Sequence, residues 1–147
     1  HTTLKFRSNF EDCQFGLEIS TEPNVIGAFK PLMGMRPSDP SFSIVERHPL
    51  LYSYTRSNMR AQEDAIQITC IDDRNRSFST PAENLAARFL SYFKTSAEQY
   101  LQRKPLDPKQ HRSTHTEITG CVIGIPAHYS YAQRQATMNA GYSAGFK

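Results

Sequence analysis

The stretch Ile118-Thr-Gly-Cys-Val-Ile-Gly-Ile-Pro126, continuing through Ala-His-Tyr-Ser130 to Tyr131-Ala-Gln-Arg-Gln-Ala-Thr-Met-Asn-Ala140, decides how the rest of the chain is read. Its first part is short, apolar and rich in β-branched residues, which predicts a buried strand. Pro126 closes that strand, because proline has no N–H to give to a ladder. Ser130 and Gln133 form an S-x-x-Q capping box, in which the hydroxyl accepts an early helical N–H and the amide reaches back. A helix is expected up to Gly141, a residue that takes the left-handed turn after a helix end without steric cost. Strand, tight turn, helix is the local order.

The 147 residues suffice for one domain with a real core, since a domain of this size buries about 70% of the surface its unfolded chain exposes. A hydrophobic fraction of 38% and a charged fraction of 21% are ordinary for a water-soluble chain. No apolar run approaches the ~20 residues of a membrane span, so no membrane association is expected. The chain opens at His1 without a methionine or a signal peptide, which reads as a piece of something longer. Its three cysteines, Cys13, Cys70 and Cys121, are widely spaced and form no C-x-x-C pair, the pattern of reduced thiols in a cytoplasmic compartment. Cys121, inside the apolar run, is expected to be a small buried hydrophobe. A net charge of +3 is too mild to imply nucleic acid.

Upstream, Leu4 and Phe6 share one face at period two, as on an edge strand. Pro31 limits any helix to a short turn before Lys30. Pro37, Pro40 and Pro49 make residues 37–54 loop-like, with a short strand starting near the alternating Leu50, Tyr52 and Tyr54. Residues 65–78 read as a hairpin with Ile66, Ile68 and Cys70 on one face and Asp72-Asp-Arg-Asn75 in the turn. Thr80-Pro81-Ala-Glu83 opens the clearest helix: a capping-box threonine, proline at the first position and glutamate at the third. Leu85, Phe89, Phe93, Ala97 and Leu101 then recur every four residues along one broad apolar face. Residues 102–116 are polar and basic, with almost nothing apolar to bury, and read as a mobile surface loop. The fold class that follows is α+β: a small mixed or antiparallel sheet with the long 81–103 helix packed on it, flanked by the 118–145 strand and helix.

Ile125-Pro-Ala-His-Tyr-Ser-Tyr-Ala-Gln-Arg-Gln-Ala-Thr137, continuing to Ala140-Gly141 and Ala144-Gly145, resembles the V-P-A-Y-F-N-D-x-Q-R-Q-A-T-x-x-A-G-x-x-A-G segment of heat shock 70 (DnaK-type) chaperones. Asn24-Val-Ile-Gly-Ala-Phe-Lys30-Pro-Leu-Met-Gly34-Met-Arg36 is similar to that family's N-T-V-F-D-A-K-R-L-I-G-R-R, with Asn24, Lys30, Leu32, Gly34 and Arg36 in register. Phe29 before Lys30 is more like the heat shock 110 branch. Ala97-Glu-Gln-Tyr-Leu101 matches the family's A-E-x-Y-L.

The resemblance implies lobe I of an actin-like (ribonuclease H-like) ATPase domain. Residues 1–117, with the basic loop 102–116, would be its peripheral subdomain, and 118–147 a strand–helix flank of the core subdomain. The parent protein would bind and hydrolyse ATP to control its grip on unfolded polypeptide clients, using ATP or ADP with magnesium and working with J-domain co-chaperones and nucleotide-exchange factors.

Read from residue type alone, Lys30 is one more solvated lysine. The resemblance puts it at the family's catalytic lysine, where a compact cation meets the charge concentrated in phosphoryl transfer. Pro126 and Arg134 read by themselves as a strand terminator and an exposed helical arginine. By resemblance they belong to the hinge that couples nucleotide state to the neighbouring domain. Three positions depart from the pattern: Pro31 replaces a basic residue, Tyr131 an aspartate and Met138 a lysine. The family's phosphate-binding turns, D-L-G-T-T and D-L-G-G-G-T, do not occur here, so the isolated chain is expected neither to hold ATP tightly nor to hydrolyse it. His111 and His115 stand four apart in a polar loop that follows two prolines, with no Glu or Cys at ligand spacing nearby, and no metal site is expected. The alternative reading is a non-catalytic interaction module, or a nucleotide-exchange type relative of the heat shock 110 branch that docks co-chaperones. An RNA-binding reading of 103–112 lacks any aromatic residue to stack on bases.

Overall fold

A computed structural model describes residues 3–8, 10, 12–16, 22, 24–46, 53–57, 65–103 and 117–147. Strand β1 (Thr3–Phe6) lies between β2 (Cys13–Phe15) and β3 (Val25–Gly27), antiparallel to both, with Leu4 opposite Phe15 on one side and Ile26 on the other. It is therefore a central strand, not the edge its scattered apolar residues suggest. Leu4 and Phe6 do share the buried face, and neither is exposed at all.

The second sheet is an antiparallel meander of β4 (Ser53–Ser57), β5 (Ala65–Ile71) and β6 (Ser77–Pro81). Ile66, Ile68 and Cys70 all point into the core, as their period-two spacing predicts. Burial pushes the Cys70 thiol up to about 12. The β5–β6 turn is organised by Asp72, which is buried and accepts from the N–H groups of Arg74 and Arg76 at 2.9 Å each and from Arg76 Nε at 2.8 Å. Its burial favours the neutral form. The Arg76 N–H, the Arg76 guanidinium and the Arg74 N–H outweigh that and hold the carboxyl below its ordinary value. This turn also joins the two sheets. Asp73 N–H donates to Arg7 O at 2.9 Å, Arg76 Nη2 donates to Ser8 O, and Asn24 Nδ2 donates to Asp73. Above them the Phe6 and Phe78 rings meet edge to face at 5.1 Å.

Between the sheets run a 3₁₀ turn (Lys30–Leu32) and a short helix, α1 (Phe42–Glu46). Pro31 sits inside the turn rather than after it. A proline at the start of a helical turn removes an N–H that has no partner there anyway. The loop expected over 37–54 likewise contains a helical turn, α1, whose Phe42 is buried. Leu50, Tyr52 and the loop 104–116, with His111 and His115, lie outside the described residues.

Helix α2 (Ala82–Arg103) follows β6 directly, because Pro81 still belongs to the strand. The capping box expected at Thr80 and Glu83 is not made. The Thr80 hydroxyl accepts from Asn84 Nδ2 at 3.1 Å, and Glu83 Oε1 instead accepts the Gly34 N–H at 2.6 Å. Ala82, Leu85 and Ala86 are buried, and Phe89 and Leu90 pack at the core margin. Further along, Tyr92, Phe93 and Tyr100 emerge into solvent. The four-residue row thus leaves the core at its third member, since such a row drifts around a cylinder with 3.6 residues per turn.

Helix α3 (Tyr131–Ser143) packs on α2 through the small residues Ala136 and Ala140. Its capping box is formed as expected: Ser130 Oγ accepts from Gln133 N–H at 3.3 Å and Gln133 Oε1 from Ser130 N–H at 3.1 Å. The helix passes through Gly141, and the left-handed residue is Gly145 at φ +86°. Gly141 is buried, and a Cβ added there would meet Ile123 at an ordinary contact distance of 3.6 Å.

Residues 117–125 are not paired in a ladder with any described residue. Ile118 N–H donates to Glu98 Oε1 at 2.9 Å and Thr119 O accepts from Lys147 N–H at 2.7 Å. A strand is defined by a neighbour, and both sheets lie elsewhere. Cys121 and Val122 are accordingly exposed, which corrects the burial expected of them. The α+β class stands, with two antiparallel three-stranded sheets, a long packed helix and a flanking helix preceded by an unpaired apolar segment.

Because Asp72 titrates below the unfolded carboxyl value of about 3.9, its stabilisation is present above that pH and fades as pH falls through the native value. Acid unfolding followed by circular dichroism should therefore lose part of its steepness below about pH 4 in Asp72→Asn, which should also be the less stable protein at neutral pH. In native protein at pH 8, iodoacetamide should modify Cys121 readily and Cys70 only after unfolding, as peptide mass spectrometry would show.

Candidate functional site

Lys30 stands on a turn bracketed by two left-handed residues, Ala28 at φ +54° and Gly34 at φ +64°. Within it, Leu32 N–H donates to Phe29 O at 3.0 Å and Met33 N–H to Lys30 O at 3.2 Å. Phe29 and Leu32 anchor the turn in the core, and Lys30 and Pro31 between them are exposed. Hydrophobic anchors on either side of a solvated lysine fix the backbone while leaving the amine in water. Among the described residues no carboxylate pairs with Lys30.

The turn is held from two directions. The Gly34 N–H is bound by Glu83 at the start of α2. On its other side Gly34 lies against the first turn of α3, where an added Cβ would come within 2.5 Å of Ala132 O and 2.9 Å of Gln133 Cα. Only a residue without a side chain permits that approach. Two side chains reach across the same junction: Tyr129 Oη donates to Lys30 O at 3.3 Å, and Gln133 Nε2 donates to Pro31 O at 3.3 Å. Partial burial pushes the Tyr129 phenol up, keeping it a donor at any ordinary pH.

Pro126 and Arg134 are neighbours at this junction. Tyr129 N–H donates to Pro126 O at 3.1 Å, closing a turn, and Arg134 holds that turn with Nε on Tyr129 O at 3.0 Å and Nη2 on Ala127 O at 2.9 Å. The structure therefore brings Lys30, Pro126 and Arg134 into one region, although Lys30 and Pro126 stand 96 positions apart in the chain. Beside them opens a cleft of about 1060 Å³ lined by Lys30, Met33, Ile44, Phe93, Ile125 and Tyr129 among others. Gly34, Tyr129 and Gln133 were not candidates on sequence grounds. The signal for Gly34 is a glycine inside an otherwise apolar Met-Gly-Met triplet. For Tyr129 and Gln133 nothing local marks a partner a hundred positions away. Among the described residues no group of three His, Cys, Asp or Glu side chains converges as metal ligands would. No helix of the described residues is long and apolar enough to cross a membrane.

The two segments that meet here are also the two that carry the family signature. The model of the family described as Hsp70 protein matches residues 17–147. The chain belongs to the Hsp70 family, the heat shock chaperones. It is similar to heat shock 70 kDa protein 4 of Rattus norvegicus, with 29% identity over 127 residues, 86% of this chain and 13% of that protein. Chaperone protein DnaK of Ureaplasma urealyticum is 41% identical over 63 residues, 43% of this chain and 8% of its own length. The heat shock cognate HSP70 protein of Trypanosoma brucei brucei is 34% identical over 65 residues, 44% of this chain and 8% of its own. The chain thus spans at most 13% of the length of these relatives.

The close approach at Gly34 has a measurable cost if it is blocked. Gly34→Ala adds left-handed strain and a backbone overlap, and thermal or urea denaturation should show a loss of about 2–5 kcal/mol. Glu83→Gln, which keeps an acceptor for the Gly34 N–H, should lose less.

Proposed function

We propose that this chain is a piece of lobe I of the ATPase domain of an ATP-dependent chaperone, and that Lys30 is its catalytic residue. The observation that carries the reading is the junction itself: a solvated lysine, without a carboxylate partner among the described residues, on a turn anchored by α2 on one side and by the Pro126–Arg134 region on the other. A nucleotide site needs such a cation fixed before the ligand arrives, since preorganised charge costs no rearrangement during phosphoryl transfer. One amine fits one phosphate edge and no more, so the remaining donors for ATP or ADP and magnesium belong elsewhere in the parent protein. Bound there, magnesium nucleotide would supply the phosphoryl group, and Lys30 would hold a positive charge beside it.

On this reading residues 1–117 form the peripheral subdomain and 118–147 the flank of the core subdomain. Pro126 and Arg134 form the part through which nucleotide state reaches the neighbouring domain. The parent would act on unfolded polypeptides in the cytoplasm, with J-domain proteins and exchange factors as partners. A second reading, a non-catalytic module that docks co-chaperones, is favoured by the exposure of Tyr131 (81%) and Met138 (46%), where the resembling motif carries charges.

Single-turnover hydrolysis by the full-length parent protein separates them. Lys30→Met should lower the hydrolysis rate by about 10²–10³ with little change in nucleotide affinity. A parent whose ATP turnover is unaffected by this substitution would favour the docking module. The isolated chain should give no micromolar binding of magnesium ATP by calorimetry.

A further inference from the structure

We propose that Tyr129 is a positioning residue for the Lys30 turn, acting through its hydroxyl and not through its ring. The inference rests on the catalytic reading of Lys30. The motif that residues 125–137 resemble carries phenylalanine at this position, which has the ring and lacks the hydroxyl. Here the hydroxyl donates to the Lys30 carbonyl at 3.3 Å, the same oxygen that accepts the Met33 N–H at 3.2 Å and closes the turn. A carbonyl has two lone pairs, so both bonds can be held at once.

Two further features tie the same few atoms. Gln133 Nε2 holds the next carbonyl, that of Pro31, and the Gly34 backbone is seated on Ala132. Pro31 itself replaces a basic residue of the resembling motif with a ring of fixed φ. The turn thus carries a clamp at three points, Lys30, Pro31 and Gly34, and a stiffened middle. Tyr129 belongs to the turn that Arg134 holds through Tyr129 O and Ala127 O. A displacement of that turn therefore pulls directly on the backbone carrying Lys30, and the hydroxyl is the link that the phenylalanine version of the motif does not have.

The test is Tyr129→Phe, which keeps the ring and its packing and removes one donor. Amide hydrogen exchange is read at Met33, whose N–H shares the Lys30 carbonyl, and at Ile68 in β5 as the control for global stability. The Met33 amide should exchange about two- to tenfold faster in the variant while Ile68 is unchanged. Incorporation of 4-aminophenylalanine at position 129, which restores a donor, should bring the Met33 rate back. An unchanged Met33 rate in Tyr129→Phe overturns the clamp, whatever the parent protein does with ATP. In the full-length parent, Tyr129→Phe should alter the hydrolysis rate without altering KM for ATP. Faster Met33 exchange with an unaltered hydrolysis rate, in a parent that Lys30→Met does inactivate, overturns the positioning role while leaving the catalytic reading intact. If Lys30→Met has no effect either, it is the catalytic reading that fails.

Discussion

The backbone of Gly34 resting on the first turn of α3 is the constraint on which the remaining arrangement turns. It brings together two parts of the chain nearly a hundred residues apart, and it tolerates no side chain at the meeting point. Everything that reaches the junction depends on that distance. Glu83 binds the Gly34 N–H only because α2 passes beside it. Gln133 and Tyr129 touch the carbonyls of Pro31 and Lys30 only because the first turn of α3 is held this near. A methyl group at position 34 would separate the two surfaces and leave those polar groups to water.

The two sheets are joined by a different means. Among the described residues it is a turn, and not a strand, that links them. Asp72 gathers three donors, and its neighbours Asp73 and Arg76 reach the end of β1. The apolar contact of Phe6 with Phe78 then closes over this polar knot. A buried carboxylate is costly unless its lone pairs are filled, and here they are.

Much of this was legible in the residues, and what was not has a common cause. The hairpin, the buried row Ile66, Ile68 and Cys70, and the α3 capping box depend on partners a few positions away, and the rules for them are local. The same local rules led to the α+β class, and the motifs around Lys30 and around Gln133 and Arg134 could be matched to a family. Thr80 and Glu83 have the spacing of a capping box, yet Glu83 found a better donor in Gly34 because tertiary contact brought it there. The apolar segment 118–125 has the composition of a buried strand, but pairing is a property of neighbours and not of composition. The hydroxyl of Tyr129 was invisible for the same reason, since its acceptor lies ninety-nine positions away.

The left-handed residues at both ends of the Lys30 turn have a consequence for how this position can vary. Ala28 and Gly34 reverse the hand of the backbone before and after the lysine, and the buried Phe29 and Leu32 hold what lies between. The path of the chain at position 30 is thus dictated by residues other than 30. Chemistry and architecture are separable there: the amine could be exchanged for another head group and the scaffold would present the replacement at the same place.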